Sequence, residues 1–216
     1  MSLWGWHTEQ VVANVSYGSN VSDDGDLRLI SDPSGKRVIE LGISPNVNSV
    51  VLALAGAKSI AVDPSTERIV AGRSAADAAG VRVEFHHGDL ADLGFATSGS
   101  VDLVIAAGSL DAVDDLSRVF RQVHRVLRPE MPFVMTFSHP INAIFGDGDS
   151  GDAVHGEGPL RRPYGQAPSR SIGDLFTALH RTNFRLDTLH ELFGRGASAS
   201  QLLPSTLLLR ARKLGV

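Results

Sequence analysis

The feature that most constrains this chain is an alternation. Between residues 38 and 137, short apolar runs of strand length recur between stretches of helical character. Residues 38–41, 59–62, 81–85, 101–106 and 132–137 read as strands. The fourth, VDLVIA, has the continuous apolar character of a strand covered on both faces. Residues 49–55 and 65–79 read as helices ended by Gly56 and Gly80. The clearest helix spans 116–127, where Leu116, Val119, Phe120, Val123, Val126 and Leu127 fall on one face. Asp114 or Asp115 is placed to cap its start, and Pro129 lies just past its end. Repeated strand–helix units commit a chain to a parallel sheet with helices on both faces. Ligands of such sheets bind beyond the carboxyl ends of the strands, where the strand order reverses. Gly42, Asp63, Asp89 and residues 106–108 all fall at such ends, on one rim.

Beyond Phe137 the alternation breaks. Residues 139–170 are rich in Gly, Asp and Pro and too long for a plain connection, so they read as an insertion or lid. Within them DGDSGD, residues 147–152, has a superficial likeness to a calcium loop but lacks its spaced acceptors, its central glycine and its closing glutamate. Residues 171–182 form a helix with Ser171 and Asp174 at capping-box spacing. Residues 184–193 and 206–212 read as two more strands, antiparallel neighbours across a short connection. At the other end, WGWHTEQVVANVSYG is rich in aromatic residues. It suits either a cover over the ligand site or an edge element packed on the sheet. The expected organisation is one domain over 1–216, with 1–35 as an N-terminal cap segment.

Composition narrows the function. A net charge of −4 argues against a nucleic-acid partner, whose phosphates need neutralising. The absence of cysteine excludes disulfides, thiolate metal sites and a cysteine nucleophile. His86 and His87 are adjacent on a strand and point to opposite faces, so they do not form a metal site. There is no signal-peptide pattern, and apolar runs of about ten residues or fewer are too short to span a bilayer. The expectation is a cytoplasmic protein with no membrane partner, no metal and a small-molecule substrate; its oligomeric state is unreadable.

The first strand–turn–helix, RVIELGISPNVNSVVLALAGA, carries a single glycine at its turn, Gly42. A dinucleotide needs several backbone N–H donors there for its pyrophosphate. Pro45 has none, and the glycines that allow close approach are missing. Together with IAVDPS, HHGDLADLGF and the run VDLVIAAGSLDAVDDLSRVFRQVHRVLRPEMPFVMTF, this stretch resembles the S-adenosylmethionine-dependent methyltransferases, particularly the type 11 group. RVLRP running directly into a strand is the most specific of these motifs. The resemblance implies an α/β, Rossmann-like, doubly wound sheet of seven strands, mostly parallel with a C-terminal antiparallel strand.

The resemblance also implies an S-adenosylmethionine site built from Glu40, Gly42, Ile43, Ser44, Asp63, Pro64, Asp89, Leu90 and Ala106. Asp63, about twenty residues after the glycine turn, would accept ribose hydroxyls. Pro64 would lie flat against the adenine, Asp89 would take its amino group and the Leu90 N–H would face a ring nitrogen. Glu40 would approach the methionine amino group through water. The family's Glu-x-Gly-x-Gly-x-Gly falls on Glu40, Gly42, Ser44 and Asn46. A left-handed backbone at Ser44 would cost roughly 1–2 kcal/mol. No catalytic residue is identified. Where many relatives carry a histidine after an acid, this chain has Ala112 after Asp111, and His139 is the substitute candidate. Two readings follow: a methyltransferase acting on a small molecule by in-line transfer, or a methyltransferase-like scaffold that is catalytically silent.

Overall fold

The computed structural model describes residues 14–144, 163–165, 169–195 and 202–215. Seven strands form one sheet in the order β3-β2-β1-β4-β5-β7-β6. They are β1 (Arg37–Leu41), β2 (Lys58–Asp63), β3 (Val83–His87), β4 (Leu103–Ala107), β5 (Pro132–Ser138), β6 (Phe184–Leu192) and β7 (Thr206–Lys213). Strands β1 to β5 pair in parallel, and β7 runs antiparallel to both β5 and β6. The order reverses between β1 and β4, so the switch point lies where Gly42 and residues 107–109 leave their strands. The helices are α1 (Asp24–Leu27), α2 (Asn48–Leu54), α3 (Thr66–Ala78), α4 (Leu116–Val126), α5 (Pro140–Ala143) and α6 (Ile172–Arg181). Among the described residues, no helix is long and apolar enough to cross a membrane.

Alternation along the strands builds two cores. Ile39 and Leu41 of β1 and Val104 and Ala106 of β4 pack with the apolar face of α4 and with Leu175 and Leu179 of α6. Val38 and Leu103 and Ile105 face the other way, onto Leu52 of α2 and the N-terminal Val15, Tyr17, Val21 and Leu29. A smaller cluster of Ile43, Ala61 and Ile69 seats α3. The N-terminal segment from residue 14 onward thus gives Val15, Tyr17, Val21 and Leu29 to the core. Its Asn48 tether is direct: the Asn48 side chain accepts from Ser16 N–H at 2.8 Å and donates to Ser16 C=O at 2.8 Å.

Most strand ends shift by a residue or so from the sequence reading, and two strands, β3 and β4, start two residues later than expected, each for a visible reason. Gly80 takes φ 64° and Val81 N–H bonds back to Ala76 C=O, closing α3 in a Schellman turn. Val81 is therefore spent on the helix end, and β3 starts at Val83. Val101 makes only an isolated bridge to Leu127, and β4 starts at Leu103. The aromatic residues Trp4 and Trp6, most of the expected lid, and the 147–152 loop lie outside the described residues.

Candidate functional site

The turn after β1 is organised by Glu40. Its carboxylate is fully buried and accepts four hydrogen bonds. Oε1 takes Ser44 N–H at 3.0 Å, the Ser44 hydroxyl at 2.7 Å and Asn48 N–H at 3.2 Å, and Oε2 takes Ser49 N–H at 2.8 Å. The residue at the N-cap of α2, Val47, makes no side-chain cap bond. Glu40 supplies the missing cap from the strand and sets a negative charge at the positive end of the helix. Glu40 therefore holds the loop rather than standing open to a ligand, unlike the expected water-mediated contact. Ser44 belongs to the same cluster.

The backbone strain also falls elsewhere than expected. Apart from Gly42, the left-handed residue in the loop is Val47, with φ 47° and ψ 66°, while Ser44 and Asn46 are not among the residues of positive φ. A β-branched residue there is costly and persists only because its surroundings impose it. Gly42 is required on two counts. Its φ is 71°, and a Cβ at this position would lie 2.2 Å from Ser109 Cβ. Ser109 is fixed in turn by donating its hydroxyl to the Leu41 carbonyl.

A cleft of about 560 Å³ opens at the switch point, walled by Gly42, Asp63, Pro64, Ser65, Arg68, Asp89, Leu90, Ala91, Ser109, Ala112, Val113, Asp114, Asp115, Arg118 and Val119. Its walls come from both sides of the sheet, α3 on one and α4 on the other. Asp63 ends β2, where its Oδ2 accepts Ile43 N–H at 2.7 Å and its Oδ1 accepts Ser65 N–H at 2.7 Å. Each oxygen keeps one lone pair. The side chain has no surface open to water, and Arg68 Nη1 lies 3.5 Å from Oδ2. Asp89 is different. It is 60% exposed, with Oδ1 accepting Ala91 N–H at 2.7 Å and Oδ2 3.7 Å from Arg118 Nη1.

The structure thus brings together Gly42, Asp63, Pro64, Asp89 and Leu90 in one cleft. The Ile43 side chain packs into the α3 cluster, and only its N–H serves the site, through Asp63. Ala106 is corrected: it is fully buried in the core, and its neighbours Ala107 and Ser109 face the pockets instead. Strand alternation explains the error, since Ala106 shares a face with Val104. A second pocket of about 440 Å³ lies past the loop, lined by Ser16, Gly18, Ser19, Asn20, Ser44, Pro45, Asn46 and Ala107, all uncharged.

His139 lines neither pocket. Its Nδ1 accepts Ile141 N–H at 3.2 Å, capping α5, and its Nε2 meets Glu191 Oε1 at 2.9 Å. Both ring nitrogens are engaged by the protein itself, at the start of α5 and at Glu191, and neither points into a pocket lining. Asp111 accepts Ser138 N–H at 3.0 Å and the Ser138 hydroxyl at 2.8 Å, joining the ends of β4 and β5. Sequence reasoning missed Ser109, Arg68, Arg118, Ser19 and Asn20, while Ser16 and Gly18 fall within the N-terminal stretch that it offered as a cover over the site. Only Ser109 had a local signal, its position directly after the fourth strand.

Residues 39–135 match a sequence family described as a methyltransferase domain. A ubiquinone biosynthesis O-methyltransferase from Azorhizobium caulinodans is 33% identical over 107 residues, covering 48% of this chain and 41% of that protein. The match spans about two fifths of that curated relative's length. An S-adenosylmethionine dependent methyltransferase from Mesorhizobium loti superposes with a TM-score of 0.71 at 24% identity, covering 88% of this chain and 96% of that one. A second, from Listeria monocytogenes, gives 0.70 at 16% identity, covering 88% and 95%. At such identities the structures establish the fold.

Proposed function

We propose that this chain, whose residues 39–135 match a methyltransferase domain family, binds S-adenosylmethionine across its switch point and delivers the methyl group to a small molecule. The observation that carries this reading is convergence. Gly42, Asp63, Pro64, Asp89 and Leu90 leave three different strands and wall a single cleft of about 560 Å³, within the range of small-ligand sites.

In this reading Asp89, exposed and singly bonded, takes the adenine amino group, and the Leu90 N–H faces the ring. Pro64 lies against the base. Asp63 takes the ribose hydroxyls on its two remaining lone pairs. The neutral hydroxyls and amides of the second pocket continue from Ser44 and Ala107, and take the amino-acid arm and the acceptor beyond it. When bound, the donor supplies a sulfonium-activated methyl group for in-line displacement. What the chain contributes is placement, since holding a nucleophile in line supplies much of the rate of such a reaction. Glu40 serves by fixing the loop between the two pockets. The net charge of −4 supports a small acceptor over a nucleic acid. The reading takes 1–216 as one domain with the N-terminal segment as its cap.

Thermal melting tests it. S-adenosylhomocysteine at a hundredfold excess over its Kd stabilises by about 2.7 kcal/mol, a rise of roughly 5–10 °C for a chain of this size. No shift at millimolar S-adenosylmethionine or S-adenosylhomocysteine would leave the silent scaffold as the better reading. A shift with NAD alone would overturn the ligand assignment.

A further inference from the structure

Asp63 presents a difficulty for any nucleoside. It is the acid placed for ribose hydroxyls, yet its side chain has no surface open to water. Two of its lone pairs are taken by Ile43 N–H and Ser65 N–H, and these bonds hold the turn after β1 to the start of α3. The Arg68 guanidinium stands 3.5 Å from Oδ2, on the cleft side, with 59% of its side chain exposed. Among the described residues this is the only ion pair or hydrogen bond the guanidinium makes, and it is too poorly aligned or too long to count as a hydrogen bond. Asp89, by contrast, is open, so a ligand reaches it without moving Arg118.

We infer that Arg68 sets how tightly the site holds its nucleoside, by competing with the ribose for Asp63. This rests on the ligand reading above. The backbone donors to Asp63 are parts of the fold and stay. Arg68, a long side chain on the first turn of α3, is the partner free to swing away. Its departure uncovers the acid, and two hydroxyl donors replace one charged contact. Arg68 thus acts through Asp63 and not by touching the ligand.

The pairing has a distinctive salt signature. S-adenosylhomocysteine carries no net charge, so its own binding responds weakly to ionic strength. A half-exposed ion pair that must break first is weakened by salt. The wild-type chain is therefore expected to bind S-adenosylhomocysteine more tightly at 0.5 M than at 0.05 M sodium chloride, by about two- to fivefold (the scale of a weak, long pair whose cation is exposed). Arg68→Ala is expected to bind about two- to fivefold more tightly at low salt and to lose the salt dependence. Arg68→Lys, which restores the charge, is expected to restore both. Calorimetric titration of the full chain reads all three.

Weaker binding by Arg68→Ala would overturn the inference, because Arg68 would then be a direct contact. So would a salt dependence that survives in Arg68→Ala or fails to return in Arg68→Lys. Failure of the wild-type chain to bind at either salt would instead overturn the ligand reading itself.

Discussion

Replacing Glu40 by Gln separates a loop-holding acid from a ligand-contacting one. The carboxylate is fully buried and accepts Ser44 N–H, the Ser44 hydroxyl, Asn48 N–H and Ser49 N–H at 2.7–3.2 Å. An amide keeps one acceptor oxygen. If it serves Ser44 and Asn48, its NH₂ confronts Ser49 N–H, and one buried donor is left unmet at about 1–3 kcal/mol. The three surviving bonds lose their charge assistance, roughly 1 kcal/mol each. Against this, a neutral amide is several kcal/mol cheaper to bury than an isolated charge. The net expectation is a loss of roughly 2–3 kcal/mol, or about 5–10 °C in Tm. Urea unfolding without ligand reads it. The reasoning would be refuted by a Glu40→Gln chain of wild-type stability whose affinity for S-adenosylhomocysteine alone had dropped.

Other outcomes follow from single contacts. Gly42→Ala is expected to cost about 3 kcal/mol or more, combining a left-handed Cβ with the Ser109 clash. The same change in a Ser109→Gly background is expected to cost measurably less in urea unfolding. Tyr17 is buried, and its hydroxyl donates to Asp24 Oδ1 at 2.6 Å. Burial first, and then the Asp24 hydrogen bond, push its phenol well above the ordinary tyrosine range. A raised folded pKa means stability that is complete below the unfolded value of about 10 and falls as pH rises past it. The expected slope above pH 10 is up to about 1.4 kcal/mol per unit from this group, and Tyr17→Phe is expected to remove it.

Much of the fold is legible because parallel strands buried on both faces read as apolar runs. Gly56 and Gly80 mark helix ends for a reason visible locally: each takes positive φ, at 87° and 64°. Boundaries are less legible where a residue serves two elements. Val81 has every property of a strand residue, yet its N–H closes α3. Asp63 was readable as a candidate from its spacing after the glycine turn, and Asp89 from its place just past the third strand, in the stretch HHGDL that carries the resemblance. Ala106 was misplaced by one position because a rim position in sequence does not give the face of the strand.

The loop itself was the least legible part. Its missing glycines suggested strain at Ser44. The fold instead wires Ser44 to Glu40 and puts the strained backbone at Val47. No pattern of residue types announces that a strand acid will cap the next helix. Arg68 and Arg118 were likewise invisible as site residues, since each meets its acid only when helix and strand end are packed. His139 shows the reverse case. Chemically it suits a base, and position on the rim supported it, but α5 uses it as a cap.

In the proposed function the cleft over Asp63 and Asp89 holds the nucleoside of S-adenosylmethionine. Isothermal titration of the full chain with S-adenosylhomocysteine tests it most directly, with Asp63→Ala alongside. The expected result is saturable one-to-one binding by the wild-type chain and loss of most of the affinity in Asp63→Ala. Wild-type affinity in Asp63→Ala, or no binding by the wild-type chain at millimolar ligand, would contradict it.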